Sequence, residues 1–332
     1  MAAGDPAGDG PADAAAVGGG LRLRAVVPYV PPGRIAVTDL QGPLGLTEGE
    51  VAMLTRMLGL DQIAHAGPLT VADLLLDAGE GALAGTDRSR VAYLVHTYTT
   101  QVAPTTLRQI GRLRRKLGLD EARAFEMSHQ SCVTGLYALK VLASLLRAEP
   151  PGSTALLLAG EKVFSSTMRM LPQATILGDA AAACLVALDG PGDEVLSVAY
   201  RTLGEFHRAQ YMAPDQFARY RATYAPTLAA VMLEALDVAG LTLDQIRLVL
   251  PHNVNRYSWT VIARHLSLPL DRVYLENVPK TGHCFCADPY LNLATARAEG
   301  AVRPGDALLM ASAGEGGTFG AVALRAGEEP TG

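Results

Sequence analysis

The chain has 332 residues, a formal net charge of -5, 49% hydrophobic residues and 5% aromatics. That composition is globular and long enough for one large domain or two fused halves. With 28 Lys plus Arg against 33 Asp plus Glu, and no basic run longer than Arg112 to Lys116, it argues against a nucleic-acid partner. No apolar stretch reaches the roughly 18 residues of a membrane helix, and the first residues lack the charged and apolar regions of a signal peptide. A cytoplasmic chain with no membrane partner is expected. Four cysteines, Cys132, Cys184, Cys284 and Cys286, are too few for a disulfide framework and read as thiols.

Residues 1–20 are Ala, Gly, Asp and Pro without apolar periodicity, so burial cannot offset their ordering entropy, and they are expected to stay outside the fold. From Leu21 onward, short apolar runs alternate with helix-period segments and Gly/Pro punctuation, the pattern of an α/β layered protein. Residues 72–96 read as a helix ending in Leu76-Asp77-Ala78-Gly79, a turn, and an apolar strand closing on His96. Residues 233–252 repeat the plan, with Leu236-Asp237-Val238-Ala239-Gly240 and a strand closing on His252. Two such copies point to a duplicated unit, 21–190 and 191–332, with a junction at the Gly190-Pro191-Gly192-Asp193 turn. An active site between the halves is then expected.

Residues 122–127 read as a strand, 128–131 as a tight turn and 134–146 as an amphipathic helix, which places Cys132 at a helix N-terminus. Free N–H groups and the helix dipole there favour a thiolate, so the position suits an acyl-transfer nucleophile; the competing reading is a small buried hydrophobe. Cys184, inside the apolar run 180–187, reads as core. His252 follows a strand at 246–250 and precedes a helix at 257–265. It points either into the ligand crevice of an α/β sheet or into a capped loop.

In the loop Lys280 to Pro289, ahead of a helix at 290–297, His283 and Asp288 are close enough for a carboxylate to orient an imidazole toward a thiol. The Cys284-Phe285-Cys286 run also admits a metal reading, but tetrahedral zinc wants four ligands, and alternation turns both thiols away from His283. Finally, the Gly-rich loop 311–320 between strands at 307–310 and 321–325 fits either an oxyanion site or a phosphate cradle. It lacks the Lys-Ser/Thr ending and following helix of the latter.

A Cys before a helix, Gly178-Asp179-Ala180, a His-x-x-Asn, a Gly-His loop and a terminal Gly-rich turn, in that order, resemble the thiolase superfamily. From about Leu21 to Arg325 the chain is most similar to the ketoacyl-ACP synthase III family. The resemblance implies an α/β thiolase fold, five-layered αβαβα with two similar halves, in a homodimer. It also implies acyl transfer through a Cys thioester, with acyl-CoA or acyl carrier protein as donor, no cofactor and no metal. Cys132 matches the acylated Cys, His252 with Asn255 matches the His-x-x-Asn, and Gly316 matches the donor that shares the oxyanion hole with the Cys132 N–H. Two positions depart from the pattern. His283 stands where the family has an Asn that, with the His, binds the malonyl thioester carbonyl, and Glu315 stands where it usually has Gly.

With Asp288, the Gly-His-x-Phe-x-x-Asp pattern is similar to the synthase III-like acyltransferases of antibiotic pathways, which use a Cys-His-Asp triad. The expectation is therefore transfer of an intact acyl group to a hydroxyl, amine or thiol of a small-molecule acceptor. The alternative is a decarboxylative ketosynthase forming a C–C bond, with Asp288 merely structural. A catalytically silent partner subunit is disfavoured because the nucleophile and both His are present. By analogy of position, residues 206–220 help form a lid over the acyl pocket.

Overall fold

The computed structural model describes residues 13–16, 20–100, 109–165 and 168–328. A ten-stranded sheet is built from β1 (Asp13–Ala16), β2 (Arg22–Tyr29), β3 (Val91–Thr97), β4 (Arg123–Met127), β5 (Thr154–Glu161), β6 (Ala180–Ala187), β7 (Asp193–Thr202), β8 (Ile246–Pro251), β9 (Ala307–Gly314) and β10 (Thr318–Arg325). Among the described residues six helices of eight residues or more accompany it: α1 (Val71–Ala82), α2 (Gln109–Lys116), α3 (Thr134–Leu146), α4 (Pro214–Val238), α5 (Arg256–His265) and α6 (Asp288–Ala298). None of the described helices is long and apolar enough to cross a membrane.

The strand order is β8-β9-β10-β7-β2-β6-β5-β3-β4. In the first half, β3 pairs in parallel with both β4 and β5, while β5–β6 and β6–β2 are antiparallel. In the second, β8–β9 is parallel, β9–β10 and β10–β7 are antiparallel, and a single parallel bridge from Val249 to Val273 stands where the first half has β4. The two halves thus share one topology, and the strands of the sequence repeat, β3 and β8, occupy matching places in it.

Period-two alternation sorts the side chains into layers. In β5, Leu156 and Leu158 face α1 and α2, whereas Ala155, Leu157 and Ala159 face α3 and α6. In β10, Val322 and Leu324 face α3 and α6, and Phe319, Ala321 and Ala323 face α4 and α5. The result is helix, sheet, helix, sheet, helix, with α3 and α6 buried in the middle. Burying each Leu or Val contributes about 1.5–3 kcal/mol, so the centre is held by side chains from both halves at once.

Three expectations need correction. Residues 13–16 of the excluded tail form β1, which pairs with β7 over 197–200. There β2 has already left β7, having paired with it only at Asp193 and Glu194. An open strand edge recruits backbone partners whatever their side chains, so an apolar pattern is no guide to it. Next, α1 runs through Gly79 to Ala82 instead of stopping there. A Cβ on Gly81 would stand 2.7 Å from Val27 Cγ1, so glycine serves close helix–sheet packing and not termination. Finally, the Gly-rich loop is shorter than expected: β9 runs on to Gly314 and β10 begins at Thr318, which leaves 315–317 as the turn.

Candidate active site

Cys132 lies in a single tight turn, Ser131–Val133, that runs directly into α3. The two residues that aim it carry positive φ, His129 at 78° and Ser131 at 50°. Such angles are costly for side chains with a Cβ and persist where surrounding contacts enforce them. The enforcing contacts are Thr134 Oγ1 donating to Ser131 O (2.7 Å) and Ser312 Oγ of β9 donating to Cys132 O (3.1 Å). Cys132 is 5% exposed, with Ser131 and Thr99 hydroxyls beside its sulfur.

From the other half, the loop before α6 delivers His283. Its Nε2 is 3.0 Å from Cys132 Sγ and its Nδ1 is 2.5 Å from Asp288 Oδ2. Asp288 also accepts from the backbone N–H of Asn253 (2.6 Å) and of Cys284 (2.8 Å) and from Asn253 Nδ2 (3.2 Å). A carboxylate fully buried among four donors is fixed in place and fixes the ring it faces. Burial alone would lower the His283 pKa. The negative charges of Cys132 and Asp288 outweigh it and hold the ring well above its ordinary value.

The Gly178-Asp179-Ala180 run positions this loop. Gly178 N donates to His283 O (2.9 Å) and His283 N donates to Ile176 O (3.0 Å). A Cβ on Gly178 would lie 2.0 Å from Thr281 O, which explains the glycine. Asp179, fully buried, accepts from Ala66 N and Val163 N and pairs with Arg169 at 3.2 Å.

His252 is buried and clamped at its backbone: its N donates to Ala311 O (2.9 Å) and its carbonyl accepts from Trp259 Nε1 (2.8 Å). Its ring lies 5.8 Å from that of His283, and Nε2 shares a hydrogen bond with Tyr224 OH (2.8 Å). Burial and the neighbouring His283 charge depress its pKa to about 3. Asn255 is a correction to the expected site. Its Oδ1 caps α5 through Ser258 N (2.6 Å) and its Nδ2 donates to Ala174 O (2.7 Å), so both ends of the amide are spent on structure. Gly316 sits at φ 88° in the β9–β10 turn. That turn abuts the nucleophile turn, since a Cβ on Gly314 would lie 2.5 Å from Ser131 Cβ.

Cys132 and His283 open onto a cavity of about 260 Å³ whose other walls include Thr99, Val163, Phe164, Leu177, Phe285 and Glu315. Phe164 and Met168, half exposed, form an apolar mouth. The 206–220 segment expected as a lid is absent from the lining: Phe206 is buried in the outer core against Tyr220. Glu315 is exposed and stands in the cavity wall, and the protein around its carboxyl raises its pKa, the His283 charge opposing this. Of the other thiols, Cys286 contacts Ser131 O (3.4 Å) and Cys284 turns to Thr281 O (3.7 Å). Cys184 is core, as expected.

Asn253 and Tyr224 were not singled out from the sequence. The first stood inside the quoted 251–256 run, where a polar residue next to His252 was a signal. The second is 28 residues from its partner, on a separate helix, with only the Tyr220/Tyr224 spacing of one turn to mark it.

Two matched halves around a pair of buried helices, with a thiol in the turn ahead of one helix and an imidazole in the loop ahead of the other, define a thiolase-type fold. Solved structures share that fold: ChlB3, named as an acyltransferase, at TM-score 0.82 and 22% identity over 92% of this chain and 98% of that one, and 3-oxoacyl-(acyl carrier protein) synthase III from Pseudomonas aeruginosa PAO1, at 0.79 and 24% over 94% and 99%. Residues 236–326 match the family described as 3-oxoacyl-[acyl-carrier-protein (ACP)] synthase III, C terminal. The beta-ketoacyl-[acyl-carrier-protein] synthase III of Rhizorhabdus wittichii is 31% identical over 227 residues, 63% of this chain and 69% of that protein. The chain belongs to the ketoacyl-ACP synthase III family, whose enzymes transfer and condense acyl groups.

Proposed function

We propose that this family member is an acyltransferase of specialised metabolism that moves an intact acyl group from a CoA or acyl-carrier-protein thioester, through Cys132, to a hydroxyl, amine or thiol acceptor. The observation that carries the reading is the unbroken chain from Asp288 to His283 to Cys132, at 2.5 and 3.0 Å. The Cys132 thiolate attacks the donor carbonyl, and the oxyanion is held by the N–H groups of Cys132 and Gly316. The donor's C–S bond breaks, and the departing thiolate takes the proton from His283. An acceptor then gives its proton to His283 as its heteroatom attacks the acyl-enzyme, and Cys132 leaves as thiolate beside a recharged imidazolium. A carboxylate behind the imidazole suits this repeated proton transfer. Decarboxylation asks instead for neutral donors at an enolate. Support also comes from His252, whose Nε2 is occupied by Tyr224.

The test is the intact mass of the protein after brief exposure to acetyl, longer acyl and malonyl thioesters, with Cys132→Ala as control. Cys132-dependent adducts that keep the full acyl mass, malonyl included, are expected. Release of carbon dioxide with a β-keto product overturns the proposal in favour of condensation.

A further inference from the structure

A neutral imidazole has two ring nitrogens, one donor and one acceptor, and each is a distinct chemical asset. In His252 the Nε2 side is taken by the Tyr224 hydroxyl at 2.8 Å, whichever of the two supplies the proton. The Nδ1 side is buried and has no partner. The bonds to Ala311 and Trp259 fix the main chain of His252 and leave Tyr224 as the hydrogen-bond partner that sets the ring's rotation; in that position the ring does not line the cavity that holds Cys132 and His283. A neutral imidazole 5.8 Å from the base is therefore present in the site, yet turned toward a helix and not toward substrate.

The tyrosine is equally fixed. Its ring centroid is 6.0 Å from Phe319 of β10 and 6.0 Å from Tyr220 one turn earlier on α4. Tyr220 in turn donates to Gly314 O of the Gly-rich turn at 3.3 Å. One face of α4 thus holds both the oxyanion turn and His252.

We propose that Tyr224 is a specificity-determining positioning residue: by occupying His252 Nε2 it withholds a neutral donor from the thioester carbonyl and so preserves the carboxylate of a β-carboxyacyl donor. The reaction it suppresses is explicit. In a malonyl thioester the bond to the carboxylate breaks, its electron pair moves into the thioester carbonyl as an enolate, and carbon dioxide leaves. A solvent proton then quenches the enolate carbon to give the acetyl thioester. A neutral N–H at the enolate oxygen lowers that barrier; Nε2 cannot act there while Tyr224 holds it, whether as donor or as acceptor. This inference rests on the acyltransferase reading.

The test supplies malonyl-CoA to wild type, Tyr224→Phe and Tyr224→Phe/His252→Ala, and follows carbon dioxide and acetyl-CoA. Wild type is expected to stay at background. Tyr224→Phe should raise decarboxylation by at least about tenfold, and the double variant should return it to background. A Tyr224→Phe protein that melts like wild type and gains no decarboxylation overturns the lock while leaving acyl transfer intact. Rapid carbon dioxide release by wild type instead overturns the acyltransferase reading, and the lock with it. If Tyr224→Phe fails to fold, ring-¹⁵N NMR of wild type decides. A neutral His252 whose Nε2 signal is unmoved by a non-hydrolysable malonyl-CoA analogue supports the lock, and a shift at Nε2 refutes it.

Discussion

Replacing Asp288 by Asn keeps the side chain's size and removes its charge. Four donors converge on the carboxylate: His283 Nδ1 and Asn253 N on Oδ2, Cys284 N and Asn253 Nδ2 on Oδ1. An amide turns one of those oxygens into a donor, so two of the four contacts become donor against donor. Hydrogen bonds to a charged group contribute about 1.5–3 kcal/mol each, and the imidazolium that forms during transfer loses its charged acceptor, and loses the bond outright where the NH2 takes the Oδ2 place. That loss alone slows turnover by roughly 10- to 150-fold, and by up to about 10⁴-fold where the amide imposes the wrong tautomer. The assay mixes acetyl-CoA with the enzyme, follows CoA release and separately the transfer of the acyl group to hydroxylamine. Asp288→Asn should still form the Cys132 adduct, slowly, with turnover down about 100-fold. Turnover within twofold of wild type, in a variant of undiminished melting temperature, refutes the orientation of His283 by Asp288.

Stability should peak near pH 6.5. The folded pKa of His252 is depressed to about 3 by burial, so its contribution is complete above the unfolded value of 6.5 and is lost as pH falls, at about 1.4 kcal/mol per unit. His283 is raised, so its contribution is complete below 6.5 and is lost as pH climbs through the folded value. Denaturant titrations from pH 4 to 9 should show both limbs, with His252→Asn flattening only the acid one. Gly314→Ala should cut turnover by about 10²- to 10³-fold, because its Cβ would stand 2.5 Å from Ser131 Cβ and push the Gly316 turn away from the thiol; near-normal turnover would separate the turn from oxyanion binding. Glu315→Gln should accelerate acylation by malonyl-CoA about fivefold relative to acetyl-CoA, as removing one like charge from the cavity wall is worth about 1 kcal/mol. An unchanged ratio would place the malonyl carboxylate away from Glu315.

Cys132, His283 and Asp288 were legible because each lies where a turn or loop leads into a helix whose pattern is local, although contacts from distant segments hold them together. The layered fold was legible for the same reason, through strands such as β5 that are apolar on both faces. Long-range pairings left weaker traces. β1 forms because β2 leaves β7 unpaired after Glu194, a fact about a strand nearly 180 residues away. Asn255 was grouped with catalysis because its spacing from His252 fits the motif, yet the side chain caps α5. The same spacing is served by a cap, which sequence does not separate from a ligand-facing amide. The 206–220 segment was assigned by position alone, and Phe206 belongs to the packing under α4.

The bond between Cys132 and His283 spans 151 positions of the chain, and its two ends belong to opposite halves. During synthesis the N-terminal half, thiol included, emerges first. At about 5–20 residues per second, the 156 residues between Cys132 and Asp288 take roughly 8–30 s to follow. Throughout that interval the thiol has neither its base nor the β9–β10 turn beside it. A nascent chain therefore carries its nucleophile unarmed through a cell rich in activated thioesters, and becomes reactive only when its last strands have docked.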